Sequence, residues 1–210
     1  MILGIETSTT HASLALVRSL DEPAVLKSSF VSERAHNAVI FDPVTEMLAH
    51  YRDEITGIAV GLGPGSYGGV RVGIAVANGL SLVLGIPVLG VSSLEAWDFS
   101  GAQYTVLGDA RRKTFFKAQV RDGLLEGEPQ LLPGSEVIDE VRDLVARGDR
   151  SFVTADESVR VAIEGVCLSY PTAEGVAKRA MQKPVLDWPE ECVLEPHYLR
   201  APYITTPKAK

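Results

Sequence analysis

The 210-residue sequence contains only two cysteines, Cys167 and Cys192, and neither belongs to a C-x-x-C pair. A disulfide framework and a zinc knuckle are therefore excluded, and an intracellular protein with reduced thiols is expected. Its four histidines include no pair at helical metal-ligand spacing, and the zinc-peptidase motif H-E-x-x-H does not occur. We interpret one of them, His36, as a helix-start residue rather than as a catalytic base.

Positive charge and long hydrophobic runs are also scarce. The chain has 20 Lys and Arg residues against 27 Asp and Glu residues, which gives a net charge of −7. This balance argues against a nucleic-acid binder acting alone, but it allows a subunit whose partner supplies the basic surface. The longest apolar stretch, residues 70–84, is shorter than the ~20 residues of a membrane span. No basic segment precedes an apolar one at the N-terminus, so we expect a cytoplasmic protein without membrane contact.

The patterns that are present divide the chain into three parts. Hydrophobic residues make up 46% and charged residues 22%, which is typical of a globular protein. We predict a first subdomain at residues 1–100, a second and smaller one at 101–183, and a proline-rich tail at 184–210 that packs on the surface. The predicted elements used below are strands at 1–7, 12–18, 55–62, 88–91, 104–109 and 114–121, and helices at 35–51, 70–84, 134–147 (capped at Ser135) and 172–181.

A glycine-rich loop at residues 63–69 lies between a predicted strand and a predicted helix. Its spacing, with Gly63, Gly65 and Gly68 around Ser66, formally matches the dinucleotide fingerprint, in which backbone N–H groups bind phosphate. Pro64 removes one donor, and no acidic residue follows at the expected distance. The absence of a Gly-Lys-Ser/Thr sequence excludes a Walker A loop. A tight turn that needs positive φ is the favoured interpretation.

A polar turn follows the first strand, and it contains Glu6, Thr7 and three further hydroxyl residues. A strand that ends in an acid and is followed by hydroxyl groups can hold a phosphate or a metal-bound water. The same hydroxyl groups can instead satisfy the backbone groups of a hairpin. Both interpretations stay open, and Glu6, Thr7 and the glycine loop are candidates for a remnant nucleotide site.

A basic cluster spans residues 109–121, where five positive charges accompany one negative charge. Its core is Arg111-Arg112-Lys113. Such a cluster can contact phosphate or tRNA, but lysine and arginine also discourage edge strands from pairing, and charge alone favours this second interpretation.

Several of these segments occur together in one family. The order is ILGIETS, GLGPGSYGGVRVG, the apolar helix, PVLGVSSLEA, DARRK and a late Pro-His-Tyr-Leu-Arg at 196–200. In these segments the chain resembles the TsaB (YeaZ) family of the bacterial tRNA threonylcarbamoyladenosine machinery, over most of its length and least over 122–190. The resemblance implies the ASKHA fold (actin/sugar kinase/Hsp70-like), with two α/β subdomains and mixed sheets.

The resemblance also implies that the chain is not a catalyst. In the catalytic relative TsaD, the segment that matches residues 91–97 carries two metal-binding histidines, and Ser93 and Trp97 stand in their places here. Serine is a poor neutral metal ligand, and indole only donates a hydrogen bond. The implied role is a non-catalytic paralogue in a complex that moves threonylcarbamoyl from threonylcarbamoyl-AMP to N6 of adenosine 37 in ANN-decoding tRNAs.

The implied partners are a TsaD-like subunit, which pairs through helices of the first subdomain, and a TsaE-like ATPase. No cofactor is expected, unless ATP or ADP binds in the complex. The chain is expected to bind tRNA only as part of the complex. Homodimerisation through the same surface is the competing arrangement. Arg111, Arg112 and Lys113 are the candidate tRNA or partner contacts. The candidate interface is a stripe of small residues on the apolar helix, with two residues from the preceding helix: Gly69, Gly73, Ala77, Ser81, Val39 and Met47.

Two other functions are kept as alternatives. An ASKHA-type nucleotide hydrolase or kinase could use residues 6–10 and the glycine loop. A peptidase would need a nucleophile or a metal, and neither can be assembled from the motifs in this sequence.

Overall fold

The computed structural model describes residues 1–31, 37–98, 101–148, 151–189 and 193–199. These residues form two mixed sheets with helices packed against them. The predicted architecture of two α/β units with mixed sheets is confirmed. The predictions for His36, Cys192 and Arg200 lie outside the described residues.

The first sheet has five strands in the order β3-β2-β1-β4-β5. β1 pairs antiparallel with β2 and parallel with β4, and β4 pairs parallel with β5. The five residues of β4 are all buried, as the unbroken apolar sequence predicts for a central parallel strand. The strands are β1 (Ile2–Glu6), β2 (His11–Val17), β3 (Leu26–Val31), β4 (Gly57–Gly61) and β5 (Val88–Val91).

Helices cover both faces of this sheet. Alternation along β1 directs Leu3 and Ile5 to one face, where they share a core with α1 (Phe41–Tyr51) and α2 (Tyr67–Leu84). Ile2 faces the other side, where α5 (Ala173–Ala180) packs. Each large side chain buried in these cores contributes about 1.5–3 kcal/mol. The predicted helix at 35–51 is an α-helix only from Phe41, after a 3-10 turn at Asn37–Ile40.

Helix α2 extends from the glycine loop across the first sheet. The Ser66 hydroxyl caps it by accepting a hydrogen bond from Gly69 N, and Gly85, with φ of 65°, ends it in the left-handed conformation. Among the described residues it is the one helix long and apolar enough to cross a membrane, with a mean hydropathy of 1.4. One side of it packs on β1 and β4, so these features fit the core helix of an α/β layer.

The second sheet has the strand order β11-β10-β6-β7-β8, and β9 also pairs with β7. Its centre is the antiparallel hairpin of β6 and β7. Helices α3 and α4 cover one face through Val137, Val141 and Val159. The elements are β6 (Gln103–Asp109), β7 (Thr114–Arg121), β8 (Leu124–Leu125), β9 (Gln130–Pro133), α3 (Gly134–Arg147), β10 (Phe152–Thr154), α4 (Glu157–Ala162) and β11 (Cys167–Leu168).

The predicted cap of α3 is wrong. The helix begins at Gly134, one residue before Ser135, and its N-cap residue is Pro133, which makes no side-chain cap bond. The start is fixed by the turn before β7, because Gly134 N donates to the Lys113 carbonyl at 2.9 Å.

Helix α5 and the C-terminal segment return to the first sheet. Gly4 lies so close to α5 that a side chain there would overlap the Ala173 carbonyl. Farther along, Trp188 packs in the same core as α5, and Leu194 is buried against the opposite face of the sheet. The division at residues 100 and 183 stays a prediction, and the contacts of α5 favour a first unit that includes residues 173–180.

Candidate functional site

The carboxyl group of Glu6 is the buried centre of a hydrogen-bond network at the end of β1. Its Oε1 atom accepts from Ser8 N at 2.6 Å, and its Oε2 atom accepts from the Ser93 hydroxyl at 2.7 Å. The Ser93 oxygen in turn accepts from Gly63 N at 3.0 Å. Glu6 therefore joins the polar turn, the glycine loop and the segment after β5.

Burial dominates the electrostatics of Glu6. The residue is fully buried, and loss of water contact raises the pKa of its carboxyl group above the ordinary value. The hydrogen bonds from Ser8 and Ser93 oppose this rise, because they stabilise the charged form. Gly61 makes room for the carboxyl, since a side chain at this position would overlap Oε2.

The glycines of the loop and of α2 allow close backbone packing against the polar turn. A side chain at Gly65 would overlap the Ser8 carbonyl, and one at Gly69 would overlap the Thr7 carbonyl. Ser66 N also donates to the Ser8 carbonyl at 2.6 Å, and the Thr7 hydroxyl donates to the Gly69 carbonyl at 2.8 Å. The structural interpretation of the loop is supported here by contacts, in addition to the positive φ of Gly63.

A cleft of about 720 Å³ lies between the two sheets and brings three of the candidate segments together. One wall contains Ser8 of the polar turn and Gly65 to Gly69 of the loop, and the facing wall contains Asp109, Arg111 and Asp156. Asp109 N donates to the Asp156 carboxylate at 2.8 Å, which fixes the end of β6. The cleft thus brings together residues of the polar turn, the glycine loop and the basic cluster.

Two polar atoms at the cleft have no hydrogen-bond partner within the described residues. These atoms are the hydroxyl oxygen of Ser8, which is 1% exposed, and the indole nitrogen of Trp97. Both residues line the cleft. A buried donor without a partner costs about 1–3 kcal/mol, so the cleft is chemically suited to a molecule that accepts these hydrogen bonds.

The two positions at which the resemblance implies metal-binding histidines, Ser93 and Trp97, do not fit a metal in this chain. The Ser93 hydroxyl already makes two hydrogen bonds, since it donates to Glu6 and accepts from Gly63 N. The Trp97 indole offers only an N–H donor. In the part of the chain that the structure describes, no group of three or more His, Cys, Asp or Glu residues is placed to hold a metal ion.

The basic turn has an unusual backbone. Arg111, Arg112 and Lys113 all have positive φ, at 67°, 55° and 60°, and all three side chains are exposed at the tip of the β6–β7 hairpin. The Arg111 guanidinium pairs with the Asp109 carboxylate at 3.3 Å. The turn therefore places the Arg111 cation at the cleft, where the Asp109 carboxylate holds it, and exposes Arg112 and Lys113 beside it.

Part of the predicted partner stripe on α2 is turned inward, while the partner interface itself stays a prediction. Gly73 and Ala77 are buried on the first sheet, and the Ser81 hydroxyl donates to the Ile86 carbonyl within the protein. A side chain at Gly73 would overlap the Thr7 hydroxyl. Gly69 and Val39 are half-buried, and Met47 is fully buried in the first core. The small residues let α2 approach its own sheet rather than another subunit.

The opposite side of α2 carries residues that the sequence analysis did not select. Leu82 is 86% exposed and Val83 is 72% exposed at its C-terminal end. Phe41 is exposed on α1, which covers the same face of the sheet. A helix that is apolar all round and packs on one side only must leave its other apolar side in solvent. The apolar sequence of α2 could therefore have predicted this exposed surface.

At the other end of α2, Tyr67 stacks on Tyr198 from the C-terminal segment. The ring centroids are 5.5 Å apart with an angle of 25° between the planes. The Arg71 guanidinium lies 5.1 Å from the centre of the Tyr67 ring and donates to its hydroxyl group. Both tyrosines line the mouth of the cleft.

Comparisons with known proteins agree on one family. The model of the TsaD family, tRNA N6-adenosine threonylcarbamoyltransferase, matches residues 30–170. The tRNA threonylcarbamoyladenosine biosynthesis protein TsaB of Bacillus subtilis is 33% identical over 147 residues, which cover 65% of this chain and 62% of that protein. TsaB of Escherichia coli is 34% identical over 139 residues, which cover 60% of this chain and 59% of that protein. The matched segment thus spans less than two thirds of these relatives.

Solved structures extend the likeness to nearly the whole fold. A Pseudomonas aeruginosa protein, described as similar to the peptidase YeaZ, has a TM-score of 0.71 and 25% identity, and the match covers 95% of this chain and 99% of that one. The YeaZ structure from the same organism has a TM-score of 0.70. Together with the strand order, these matches confirm the predicted fold.

Proposed function

Since the family match covers two thirds of its residues, this chain belongs to the TsaD family, in its TsaB (YeaZ) branch, and from this premise we propose that it is a non-catalytic scaffold subunit in tRNA threonylcarbamoyladenosine synthesis. The complex would transfer threonylcarbamoyl from threonylcarbamoyl-AMP to N6 of adenosine 37 in ANN-decoding tRNAs, in the cytoplasm. A TsaD-like subunit would perform the transfer, and a TsaE-like ATPase would join the pair.

The observation that carries the proposal is the hydrogen bonding of Ser93. Its hydroxyl is held between the Glu6 carboxyl and Gly63 N, inside the protein. Serine is a poor neutral metal ligand, and this hydroxyl is buried and already makes two hydrogen bonds. Trp97, at the second position, cannot ligate a metal through its indole N–H. These two positions support the proposal that another subunit performs the metal-assisted transfer.

The outer side of α2 is the surface we assign to that subunit. Leu82 and Val83 are largely exposed on a helix whose inner side is already packed, and Phe41 is a further exposed apolar side chain, on α1. Neighbouring apolar side chains such as Leu82 and Val83 in solvent suit a protein contact, and a second α/β subunit with matching helices would bury them. Self-association through the same surface is the competing arrangement.

Reconstitution tests the scaffold role. tRNA, ATP, threonine and bicarbonate are supplied with the enzyme that makes threonylcarbamoyl-AMP and with the TsaD-like and TsaE-like subunits. Modified adenosine is then measured with and without this chain. We expect modification to depend on the chain, and to be kept in Ser93→Ala, because Ser93 has no catalytic role. Full-rate modification without the chain would refute the scaffold function.

A second candidate is nucleotide binding in the central cleft, favoured by the unpartnered hydroxyl of Ser8. Calorimetric titration of the isolated chain with ATP and ADP distinguishes this nucleotide-binding function from the scaffold function. Submillimolar affinity with turnover would support an ASKHA-type hydrolase or kinase, and undetectable binding would remove it.

A further inference from the structure

Two exposed tyrosines are stacked at the mouth of the cleft, where the scaffold role gives them no function. Tyr67 is 57% exposed and is the first residue of α2, and Tyr198 is 48% exposed in the C-terminal segment. Two half-exposed aromatic rings side by side are a large apolar surface to leave in water. Such surfaces on a folded protein usually mark a binding site.

The tyrosine pair is fixed in position rather than carried on a free tail. Leu194 is buried in the first core, and His197 N donates to the Leu62 carbonyl at 2.8 Å. These two contacts hold the chain on either side of Pro196, immediately before Tyr198. Tyr67 is held by the first turn of α2. The two rings therefore form a preorganised surface, which reduces the entropy lost when a ligand stacks on it.

Positive potential accompanies these rings. Arg71 is exposed one helical turn after Tyr67, with its guanidinium 5.1 Å from the centre of the Tyr67 ring. The N-terminus of α2 adds partial positive charge from the helix dipole. Gly68 has open space at its Cα, so a ligand can approach the backbone there. Aromatic planes beside an arginine and a helix N-terminus suit a planar base attached to a phosphate.

We propose that Tyr67, Arg71 and Tyr198 form a stacking platform for an unpaired base of the RNA on which the complex acts. This inference rests on the proposed function. Bases stack on aromatic side chains through faces that all nucleobases share, and a neighbouring arginine adds cation–π and phosphate contacts. The negative charge of the whole chain requires the remaining affinity for RNA to come from other subunits.

A base fits this end of α2 better than a protein partner does. The platform lies at residues 67–71, whereas the apolar surface at Leu82 and Val83 is 15 residues farther along, about 22 Å at 1.5 Å per residue. One end of the helix thus combines rings with a cation, and the other end is purely apolar. This separation gives RNA and protein distinct places on one helix.

The test uses the assembled complex and an anticodon stem-loop RNA of an ANN-decoding tRNA, with 2-aminopurine replacing one loop base at a time. Stacking on a tyrosine quenches 2-aminopurine fluorescence, so the titration reports both stacking and affinity. We expect quenching at one loop position with the native chain. Tyr198→Ala should abolish this quenching and weaken RNA binding about five- to one-hundredfold, whereas Tyr198→Phe should keep both.

Results that overturn the stacking platform differ from those that overturn the scaffold function. Native quenching and affinity in Tyr198→Ala would overturn the platform, and so would equal losses in Tyr198→Ala and Tyr198→Phe. Release of the TsaD-like subunit by Tyr198→Ala, seen by size-exclusion chromatography, would make the pair a protein contact instead and would also overturn it. Failure of the scaffold function has a different signature, because tRNA would then be modified without the chain.

Discussion

The carboxyl group of Glu6 and the hydroxyl group of Ser93 are hydrogen-bonded at 2.7 Å, although 87 residues separate them in the sequence. The bond connects the end of β1 to the segment after β5, and Gly63 N closes the connection by donating to the same hydroxyl. In this way Ser93, which the resemblance places at the position of a metal ligand, is part of a buried structural network. The ionisation of Glu6, the acid in this network, provides a test of it.

Glu6→Gln should change how stability depends on pH. Burial raises the pKa of Glu6, so between the ordinary and the raised value the unfolded chain ionises while the folded chain keeps its proton. The native state then binds more protons, and the unfolding free energy of the native chain falls as pH rises through this window. Glutamine cannot ionise, so the variant should lose this fall. Its relative stability should increase by about 1.4 kcal/mol for each unit of raised pKa.

Urea unfolding from pH 4 to pH 8 measures this difference. Glu46→Gln, which changes an exposed acid on α1, is the matched control and should leave the pH dependence of stability almost as in the native chain. Parallel stability curves for Glu6→Gln and the native chain would show that Glu6 is not held in the neutral form.

Two glycines of α2 should respond in opposite ways to the same substitution. Gly69→Ala directs a methyl group into the Thr7 carbonyl, so it should destabilise the protein by about 1–3 kcal/mol. Gly79 has open space around it, so Gly79→Ala should stabilise the helix by about 0.5–1 kcal/mol. Thermal unfolding of both variants measures the difference. Equal shifts in Tm would mean that the contact between the loop and the polar turn is not close.

Much of the first unit could be predicted because its signals are local. The alternation and the final acid of residues 1–7, the glycine punctuation at 63–69 and the apolar run at 70–84 each define an element within a few residues. The buried strand β4 and helix α3 were predicted for the same reason. Helix α3 has its predicted bounds, whereas α2 begins three residues earlier than predicted and α1 begins six residues later. Ser135 failed as a cap because the hydrogen bond from Gly134 to Lys113, in another element, sets where α3 begins.

Long-range placement could not be predicted in the same way. The small-residue stripe of α2 fits its own sheet or a partner equally well by spacing, and only the contact of Gly73 with Thr7 decides between them. Helix α5 follows the second sheet in sequence but packs on Gly4 of the first. The Tyr67–Tyr198 pair joins residues that are far apart in the sequence. Nothing in the sequence near either tyrosine predicts that the two rings stack.

Replacing Leu82 and Val83 by aspartate should weaken association with the TsaD-like subunit without unfolding the chain. Both side chains are largely in solvent, so the folded state loses little packing, whereas a buried interface would acquire two unpaired charges. We expect a loss of affinity of more than about tenfold, with each 1.4 kcal/mol being tenfold. Val161→Asp on α4 is the matched control, since Val161 is 71% exposed and distant in the fold. Calorimetry measures the affinity.

Light scattering of the isolated chain measures its molar mass and so tests the competing arrangement, which is self-association through the same surface. A native dimer that becomes a monomer in the Leu82/Val83 variant, with heteromeric affinity unchanged, would assign this surface to self-association. Normal heteromeric binding by a monomeric variant would remove the surface from the scaffold function altogether.

Reversing the three charges at Arg111, Arg112 and Lys113 should reduce the salt dependence of RNA binding by the assembled complex. The Arg111–Asp109 pair is exposed, so it contributes little and can open for a phosphate. Each lost phosphate contact lowers the slope of log K against log salt by about 0.7, so the triple variant should lose up to about 2. A control with the same change in net charge, made at Arg18, Lys27 and Arg52 on the first unit, should keep the native slope. An unchanged slope of log K against log salt in the triple variant would mean that these residues do not contact RNA. Their remaining role would be at the hairpin tip, where cations discourage pairing with other strands.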